Sequence, residues 1–456
     1  MPYSAAVHAG AIVIVGAGPC GIACARELLA RGHDDAVVLE RSDHPGGLAS
    51  SVVDANGFTW DLGGHVVFSH YGEFDRLLAE TMGDDVERHD RSSYVRVAGR
   101  WVPYPFQNNL HRLPPALARE AVAGLRAAQH DGAPPAGADF GSWMRATFGD
   151  GICRLFMQPY NEKVWAHPAA VMAAGWIAER VSVVDWRTVA ARVERGEDDT
   201  AWGPNNRFAF PACGGTGEIY RRAAAPLTDR VRYGADVVAV DGAARTLTLG
   251  DGAVVAYDRL VWTGPLDVLV ARLAEAPDLV RRAATELVHN SVTMVGIGYE
   301  RPTTDDRSWF YFPEPDVPFY RATNFGKYAR ANGPGGRTDR YCSWMTEIAS
   351  SDWRPLEPDA LVERVDDALR RVGLVDADAP VASTHVEHIP YAYPVPTLGR
   401  DAALGTIQPW LAERDILARG RFGAWRYEIG NMDHAVKMGV DVAARLVDGA
   451  VEEAWW

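Results

Sequence analysis

The chain has 456 residues, of which 47% are hydrophobic and 23% charged, and its formal net charge is −14. This length and composition are typical of a globular protein of two or three domains. The negative charge argues against a nucleic-acid or anionic-membrane surface, so an anionic substrate would need a locally basic pocket.

The five cysteines have no spacing typical of a metal site. No apolar run approaches the roughly 18 residues that a membrane-spanning helix needs, and the first residues lack the basic segment of a signal peptide. We therefore expect a cytoplasmic protein without a metal site, a membrane segment or a nucleic-acid partner.

The first predicted elements form a dinucleotide-binding unit. Residues 12–15 predict a buried strand that ends in a Gly-x-Gly-x-x-Gly turn. A helix is predicted over 22–31 and a second strand over 36–40, which ends on the acidic residue Glu40. The three glycines of the turn are Gly16, Gly18 and Gly21. The glycine turn and the N-terminus of the following helix would bind a pyrophosphate, and the acidic residue would accept hydrogen bonds from a ribose diol. We therefore predict a dinucleotide cofactor.

Further strands and a helix typical of a cofactor-binding domain are predicted later in the chain. Strand patterns at 237–240 and 246–249 flank a turn, and a buried strand at 260–262 runs into a second glycine turn. A last strand over 415–420 precedes a helix from about residue 432. Such elements at the beginning, middle and end indicate one discontinuous cofactor domain with two insertions.

Several segments, in order over nearly the whole chain, carry a specific resemblance. After the glycine turn come 45–50 (PGGLAS), 63–70 (GGHVVFSH), 101–109 (WVPYPFQNN), 156–165 (FMQPYNEKVW), 202–205 (WGPN), 211–217 (PACGGTG), 318–323 (PFYRAT), 393–397 (YPVPT) and 420–431 (GRFGAWRYEIGN). They resemble the FAD family that includes amine oxidases and protoporphyrinogen oxidase. Within that family they are similar to the UDP-galactopyranose mutases of the eukaryotic type.

The resemblance implies an α/β fold with a discontinuous Rossmann-like FAD-binding domain, an inserted helical bundle and an antiparallel β-sheet substrate domain. The implied FAD-binding domain comprises 1–95, 208–290 and 400–456. The helical domain comprises 107–207, and the β-sheet domain 96–106 and 291–399. In the helical domain, we expect the loops 177–185 and 201–207 to be mobile lids that exclude water.

The implied reaction is a non-redox ring contraction between the pyranose and furanose forms of UDP-galactose. In such enzymes, N5 of reduced FAD attacks the anomeric carbon, the sugar ring opens through a flavin iminium, and the ring recloses. NADPH or NADH is the implied reductant. Because the only glycine fingerprint serves FAD, this reductant would have to use the substrate cleft.

Groups suited to a nucleoside diphosphate lie within or near the quoted segments. Arginine forks and phenolic hydroxyls bind phosphate oxygens, while an aromatic wall with an amide suits a pyrimidine. The resemblance assigns Arg180 and Arg321 to the diphosphate and catalysis; Tyr311 is placed by order alone. The implied substrate-binding residues are Phe68, Tyr104, Phe106, Gln107, Asn161, Trp165, Arg180, Asn205, Tyr311, Arg321, Tyr393 and Tyr427.

The implied cofactor-binding residues are Gly16, Gly18, Gly21, Glu40, Gly46, Gly47, Ser50, Gly63, Gly64, His65, Val238, Arg421, Asn431 and Met432. The amides of Asn431 and Met432, at the last helix N-terminus, would support the negative edge of reduced flavin. His65 is also a catalytic candidate, although we expect its backbone and its stacking on the flavin to matter more than proton transfer. Met432 departs from the glutamine usual in eukaryotic-type members.

Two other functions remain open: a two-electron FAD oxidase of the amine or porphyrin type, and a flavoprotein that binds nucleotide sugars without catalysis. The oxidase does not account for Gln107, both arginines and the three tyrosines, and the non-catalytic flavoprotein gives the flavin nucleophile no role. Another NDP-sugar is an alternative substrate, because galactose, fucose and arabinose differ by a group worth only about 1–3 kcal/mol in a pocket. The oligomeric state stays open between a single chain and a homo-oligomer.

Overall fold

The structure is a computed structural model that describes residues 12–134, 136–177, 180–303 and 305–455, except for the side chain of residue 204. The predicted segment 1–95 therefore begins, and 400–456 ends, outside the described residues. Positions 178 and 179 of the first predicted lid loop also lie outside them.

The strands of the described residues are β1 (Ile12–Val15), β2 (Val37–Leu39), β3 (Ser51–Val53), β4 (Thr59–Asp61), β5 (Val86–Asp90), β6 (Ser93–Val97), β7 (Arg100–Pro103), β8 (Arg207–Pro211), β9 (Val231–Arg232), β10 (Val237–Asp241), β11 (Thr246–Leu249), β12 (Val254–Ala256), β13 (Arg259–Trp262), β14 (His289–Tyr299), β15 (Trp309–Tyr311), β16 (Arg321–Asn324), β17 (Cys342–Ser350), β18 (Val381–Pro394) and β19 (Ile416–Ala418).

The helices of the described residues are α1 (Pro19–Ala30), α2 (Gly72–Thr81), α3 (Pro115–Asp131), α4 (Phe140–Ile152), α5 (Gln158–Trp165), α6 (Trp186–Arg195), α7 (Gly217–Ala224), α8 (Leu266–Arg272), α9 (Asp278–Ala284), α10 (Leu361–Arg371), α11 (Arg400–Ala412), α12 (Gly420–Gly423) and α13 (Met432–Asp448).

A five-stranded parallel sheet in the order β19–β13–β1–β2–β9 forms the centre of the cofactor domain. Its strands come from the beginning, middle and end of the chain, and α1 packs against α13 beside it. This arrangement confirms the predicted α/β class. The predicted βαβ unit and C-terminal helix form, with α1 beginning three residues before the predicted start of its helix.

A three-stranded antiparallel sheet, β10–β11–β12, extends the cofactor domain. The register pairs Val237 with Leu249 and Ala239 with Thr248, so Val238 is skipped at a bulge. This residue, predicted to bind adenine through its backbone, therefore lies where the ladder is interrupted.

The second large sheet has the order β18–β14–β17–β16–β15–β6–β7. It is antiparallel, as predicted, except that β6 pairs parallel to β15. These two strands are joined through the helical segment and not by a hairpin, so a parallel pairing is allowed. The predicted helical region, which contains α3, α4, α5 and α6, lies between β7 and β8, and the exact domain boundaries stay a prediction.

All five cysteines are free; Cys213 is exposed and the other four are buried. Of the helices that the structure describes, none has both the length and the apolar character required to cross a bilayer.

Candidate active site

The glycine turn after β1 depends on close backbone contacts. Gly16 has φ +103°, a conformation that disfavours any side chain. A Cβ at Gly21 would lie only 1.9 Å from the carbonyl oxygen of Gly16, which follows β1 directly. Gly18 precedes α1 without a side-chain cap. The first amides of α1 are therefore left for an anionic group, as FAD requires.

Two further predicted groups complete this cradle. A Cβ at Gly47 would lie 3.2 Å from the Cα of Gly18, so the loop of Gly46 and Gly47 packs against the turn. The Glu40 carboxylate accepts hydrogen bonds from the amides of Ala17 (2.6 Å) and Ser42 (2.8 Å). It is held beside the turn at the end of β2, where a ribose would lie. Ser50, also predicted, is buried nearby. These residues fit FAD.

A cavity lies between the cofactor domain and the large mixed sheet. Twelve predicted residues line it: Gly63, Gly64, His65, Phe68, Arg180, Asn205, Arg321, Tyr393, Arg421, Tyr427, Asn431 and Met432. The remaining lining residues are Leu48, Leu62, Val66, Val292, Tyr320, Glu347, Ile389, Ala392 and Asp433. Twelve of the residues implied by the resemblance, some for the cofactor and some for the substrate, therefore share one cavity.

Three guanidinium groups reach this cavity. Arg180 donates to the carbonyl of Glu428 at 2.6 Å and lies 4.7 Å from the ring centroid of Tyr427. Arg421 donates to the carbonyl of Gly430 at 2.8 Å, and burial lowers its pKa. Within the described part of the chain, neither of these two arginines forms an ion pair with a carboxylate. The cavity is therefore locally basic within an acidic protein.

The third arginine, Arg321, is paired. Its Nε and Nη2 donate to the two oxygens of Glu347 at 3.0 and 2.6 Å. Glu347 also accepts from the amide of Gly64 and the hydroxyl of Tyr320. Although burial opposes it, Arg321 holds the pKa of Glu347 below its ordinary value. The carboxylate thus connects Arg321 to the loop that carries His65.

Sequence reasoning missed Glu347, which lies in no quoted segment. The available signal is an acidic residue within β17, all of whose residues are buried. A buried carboxylate requires a partner, and this one lies opposite Arg321 in the sheet register. Arg321 could not be predicted as the partner of Glu347 without the pairing register of β16 and β17.

His65 carries a partly buried, neutral imidazole, with 19% of the side chain exposed. Burial and the charge of Arg421 lower its pKa to about 4. Its Nδ1 lies 4.0 Å from Asp61 and has no hydrogen-bond partner among the described residues. Burial raises the pKa of Asp61 to about 7, against hydrogen bonds from Ser51 and Thr216. A neutral imidazole with an unpaired nitrogen suits contact with a bound cofactor better than proton donation.

Of the four residues predicted for the base, Phe68 lines the cavity, whereas Tyr104, Phe106 and Gln107 do not. Phe106 is fully buried, with its ring centroid 5.1 Å from that of Phe156. Gln107 donates to the carbonyl of Ser182 at 2.6 Å, while its own buried Oε1 has no partner among the described residues. Gln107 therefore keeps an acceptor for an N–H group, whereas Phe106 occupies a core position.

Asn161, Trp165 and Tyr311 also lie behind the cavity wall. The Trp165 ring centroid is 4.7 Å from that of Tyr427, which lines the cavity. Asn161 donates to the carbonyl of Met157, and Tyr311 receives a hydrogen bond from the indole of Trp309 at 2.6 Å. In this conformation Trp165 packs against lining residues, whereas the side chains of Asn161 and Tyr311 contact residues outside the lining.

The N-terminus of α13 reaches the cavity where the flavin edge is predicted. Asn431 precedes α13 and makes no side-chain cap, and Met432 is its first residue. The departure from glutamine at Met432 leaves this backbone arrangement in place. The predicted contact through helix amides does not depend on the side chain.

A second missed cluster surrounds Asp433. Its carboxylate lies 2.7 Å from Nδ1 of His70 and 3.0 Å from Nδ1 of His434. Although burial opposes them, the hydrogen bonds from His434 and His70 lower the pKa of Asp433 to about 2. Asp433 and His434 are adjacent, whereas His70 comes from a distant segment, so the spacing of residues along the sequence did not reveal these three potential metal ligands.

Arg91, also missed, anchors the second lid loop. It donates to Oδ1 of Asn205 at 2.7 Å and to the carbonyl of Thr200 at 2.9 Å, and its guanidinium lies 5.4 Å from the Tyr104 ring centroid. The loop that carries Asn205 is therefore fastened to the residue directly after β5.

Comparisons with known proteins agree with this geometry. A family described as flavin containing amine oxidoreductase matches residues 19–447. The crystal structure of a reduced UDP-galactopyranose mutase has a TM-score of 0.94 and 38% identity, and the match covers 97% of this chain and 95% of that chain.

Two more distant structures share the fold. Cyclohexylamine oxidase from Brevibacterium oxydans IH-35A has a TM-score of 0.67 at 17% identity, covering 96% of this chain and 98% of that chain. A CLA-producing fatty acid isomerase from P. acnes has a TM-score of 0.66 at 16% identity, with coverage of 96% and 98%. At such low identities these two structures show the fold alone, and the family assignment depends on the family model and the mutase structure. The chain belongs to the flavin-containing amine oxidoreductases, within which it is a flavin-dependent isomerase of the UDP-galactopyranose mutase family.

Proposed function

We propose that this enzyme interconverts the pyranose and furanose forms of a UDP-sugar, with UDP-galactose as the first candidate. The observation that carries the proposal is the convergence of Arg180, Arg321 and Arg421 on one cavity in a chain of net charge −14. Such a local excess of cations attracts an anionic substrate.

The cavity also offers groups that suit a diphosphate leaving group. Guanidinium forks bind phosphate oxygens at two points, and the hydroxyls of Tyr393 and Tyr427 add neutral donors. Arg180 and Arg421 lack carboxylate partners among the described residues, so their charge remains available. By stabilising the departing diphosphate, these groups lower the barrier to cleavage of the anomeric bond.

The same charge disfavours the oxidase alternative for amines. An ammonium substrate would meet like charges from Arg180 and Arg421, which a site for cations avoids. Two carboxylates line the cavity and could offset this repulsion. Both oxygens of Glu347 are bonded to Arg321, and Asp433 is bonded to His70 and His434. The electrostatics of the cavity therefore favour the mutase.

FAD is the proposed cofactor, and when bound in its reduced form it supplies the nucleophile for the anomeric carbon. The glycine turn holds the pyrophosphate, Glu40 accepts from the ribose, and the α13 N-terminus stabilises negative charge on the flavin edge. Neutral His65 packs at the flavin face, and we assign no proton transfer to it. We further propose NADPH or NADH as reductant, which would enter through the same cavity.

The loops 177–185 and 201–207 are proposed to exclude water during turnover. Arg180 and Asn205 lie on them and line the cavity, so closure would bring both side chains to the substrate. Excluding water strengthens the interactions with the diphosphate and prevents hydrolysis of the activated sugar.

The decisive experiment uses the purified holoenzyme, reduced anaerobically with dithionite and given UDP-galactofuranose. We expect chromatography to show conversion to UDP-galactopyranose, and no conversion by the oxidised enzyme. Absence of conversion, together with peroxide release from an amine in air, would overturn the proposal. The furanose forms of UDP-arabinose and of a fucose nucleotide, assayed alongside, define the sugar.

A further inference from the structure

We propose that Lys163 is a positioning residue for Arg321, because its ammonium group fixes the loop between β15 and β16 to helix α5. The inference rests on the proposed function, since it assigns a role in holding a substrate-binding group. Lys163 itself does not line the cavity.

Every N–H donor of the Lys163 ammonium group has a hydrogen-bond acceptor. Nζ of Lys163 donates to the carbonyl oxygens of Phe312 (2.9 Å), Glu314 (2.9 Å) and Phe319 (2.8 Å). An ammonium group has three N–H donors, so all of them are used on one loop. The side chain is only 2% exposed, which leaves no water to replace these bonds.

This cation lacks a counter-ion. No carboxylate in the described part of the chain forms an ion pair with Nζ. Burial and the charge of Arg354 lower the pKa of Lys163, but three carbonyl acceptors favour the protonated form, because a neutral amine has only two N–H donors. A buried charge held by carbonyl dipoles alone is unfavourable compared with an apolar side chain of similar length. Packing alone therefore does not account for a lysine at this position.

The loop that Lys163 holds begins and ends at predicted substrate residues. Tyr311 and Arg321 face each other in the register of β15 and β16. The carbonyl of Phe312 comes directly after Tyr311, and that of Phe319 comes two residues before Arg321. Lys163 thus binds the loop close to both ends, and its three bonds fix where Arg321 enters the sheet.

The helix that carries Lys163 contacts the same region through aromatic rings. On α5, the ring centroid of Tyr160 lies 5.2 Å from that of Tyr311, and that of Trp165 lies 4.7 Å from that of Tyr427. Lys163 lies between these two positions in sequence. Its bonds to the loop therefore fix α5, Arg321 and the lining residue Tyr427 relative to one another.

The test measures UDP affinity of the reduced holoenzyme by calorimetry, because UDP contains the diphosphate but cannot react. Lys163→Met keeps an unbranched side chain one atom shorter and removes all three donors. We expect it to retain bound FAD and to weaken UDP binding about tenfold. The kcat/KM for UDP-galactofuranose should fall more than kcat at saturating substrate.

A matched control separates positioning from general destabilisation. Arg370 on α10 also donates to three loop carbonyls, those of Asp376, Ala377 and Ala379, but does not line the cavity. We expect Arg370→Met to lower the thermal midpoint while UDP affinity stays within twofold of wild type. A loss of UDP affinity by Arg370→Met as large as that by Lys163→Met would overturn the proposal.

A double-mutant cycle tests whether Lys163 acts through Arg321. In an Arg321→Ala background, Lys163→Met should change UDP affinity by less than twofold, since there is no guanidinium left to misplace. Equal effects in both backgrounds overturn the proposal. If Lys163→Met does not fold with flavin, the same cycle uses Lys163→Arg, whose planar group cannot reproduce the three bonds. Failure of wild type to bind UDP would instead reject the proposed function.

Discussion

Arg321 and Glu347 lie opposite each other on β16 and β17 and form two N–H···O bonds of 3.0 and 2.6 Å. The pair aims one guanidinium at the cavity and fixes its plane. Because Glu347 also accepts from the amide of Gly64, the substrate side and the proposed flavin side of the cavity share one carboxylate.

We predict that Arg321→Ala retains bound FAD but loses turnover. Arg321 faces the proposed diphosphate and not the glycine turn, so kcat/KM for UDP-galactofuranose should fall about 10²–10³-fold, as for other lost electrostatic donors. Flavin absorbance and steady-state kinetics check this. Arg321→Lys keeps the charge without the fork and should be intermediate. Purification of the alanine variant without flavin would contradict the assignment.

We predict that Glu347→Gln destabilises the protein. The substitution keeps the shape but removes the buried carboxylate that balances Arg321. Because the Arg321 side chain is 22% exposed, we expect a loss below the roughly 3–5 kcal/mol typical of a fully buried pair. Urea unfolding of the holoenzyme measures the loss. The control is Asp339→Asn, which breaks the exposed pair with Arg337 and should leave the unfolding midpoint unchanged. An unfolding midpoint for Glu347→Gln equal to that of the control would show that the pair contributes little.

His65 predicts a specific acid sensitivity. Its pKa is about 4 in the folded protein and about 6.5 when unfolded, so the unfolded chain binds the extra proton. The free energy of unfolding therefore decreases as the pH falls from 6.5 towards 4. The decrease due to His65 amounts to about 3 kcal/mol over that window. Thermal unfolding at pH 7 and pH 5 should show a smaller decrease for His65→Asn than for wild type. Parallel decreases would refute the lowered pKa.

The glycine turn predicts a steric requirement. In Gly21→Ala the new Cβ would lie 1.9 Å from the Gly16 carbonyl oxygen, so the turn must move and FAD should be lost on purification. The matched control is Gly405→Ala in α11, where nothing lies within 4 Å of the added Cβ. It should stabilise the helix by about 0.5–1 kcal/mol. Full flavin content in Gly21→Ala would argue against a tight turn.

Local patterns were enough to predict the α/β class, the first βαβ unit and the last helix, because strand and helix periodicity and the glycine turn depend on near neighbours in sequence. The family resemblance, and not periodicity, led to the twelve predicted residues that line one cavity.

The contacts between distant segments could not be predicted in this way. Glu347, Lys163 and Arg91 act through partners whose identity depends on the sheet register, on loop carbonyls or on a loop beyond a helical insertion. Phe106 shows the opposite case, because an aromatic residue in a predicted binding segment packs in the core. Pattern alone does not distinguish a ring that stacks on a ligand from one that stacks on Phe156.

The parallel pairing of β6 with β15 has a consequence for synthesis of the chain. When β6 leaves the ribosome, β15 has not been made, and the whole helical segment emerges before residues 309–311 can pair with β6. Pairings this distant in sequence form late and leave a strand edge exposed meanwhile. Since β19 and α13 come later still, the nascent chain cannot complete its cavity until nearly all of it has been translated.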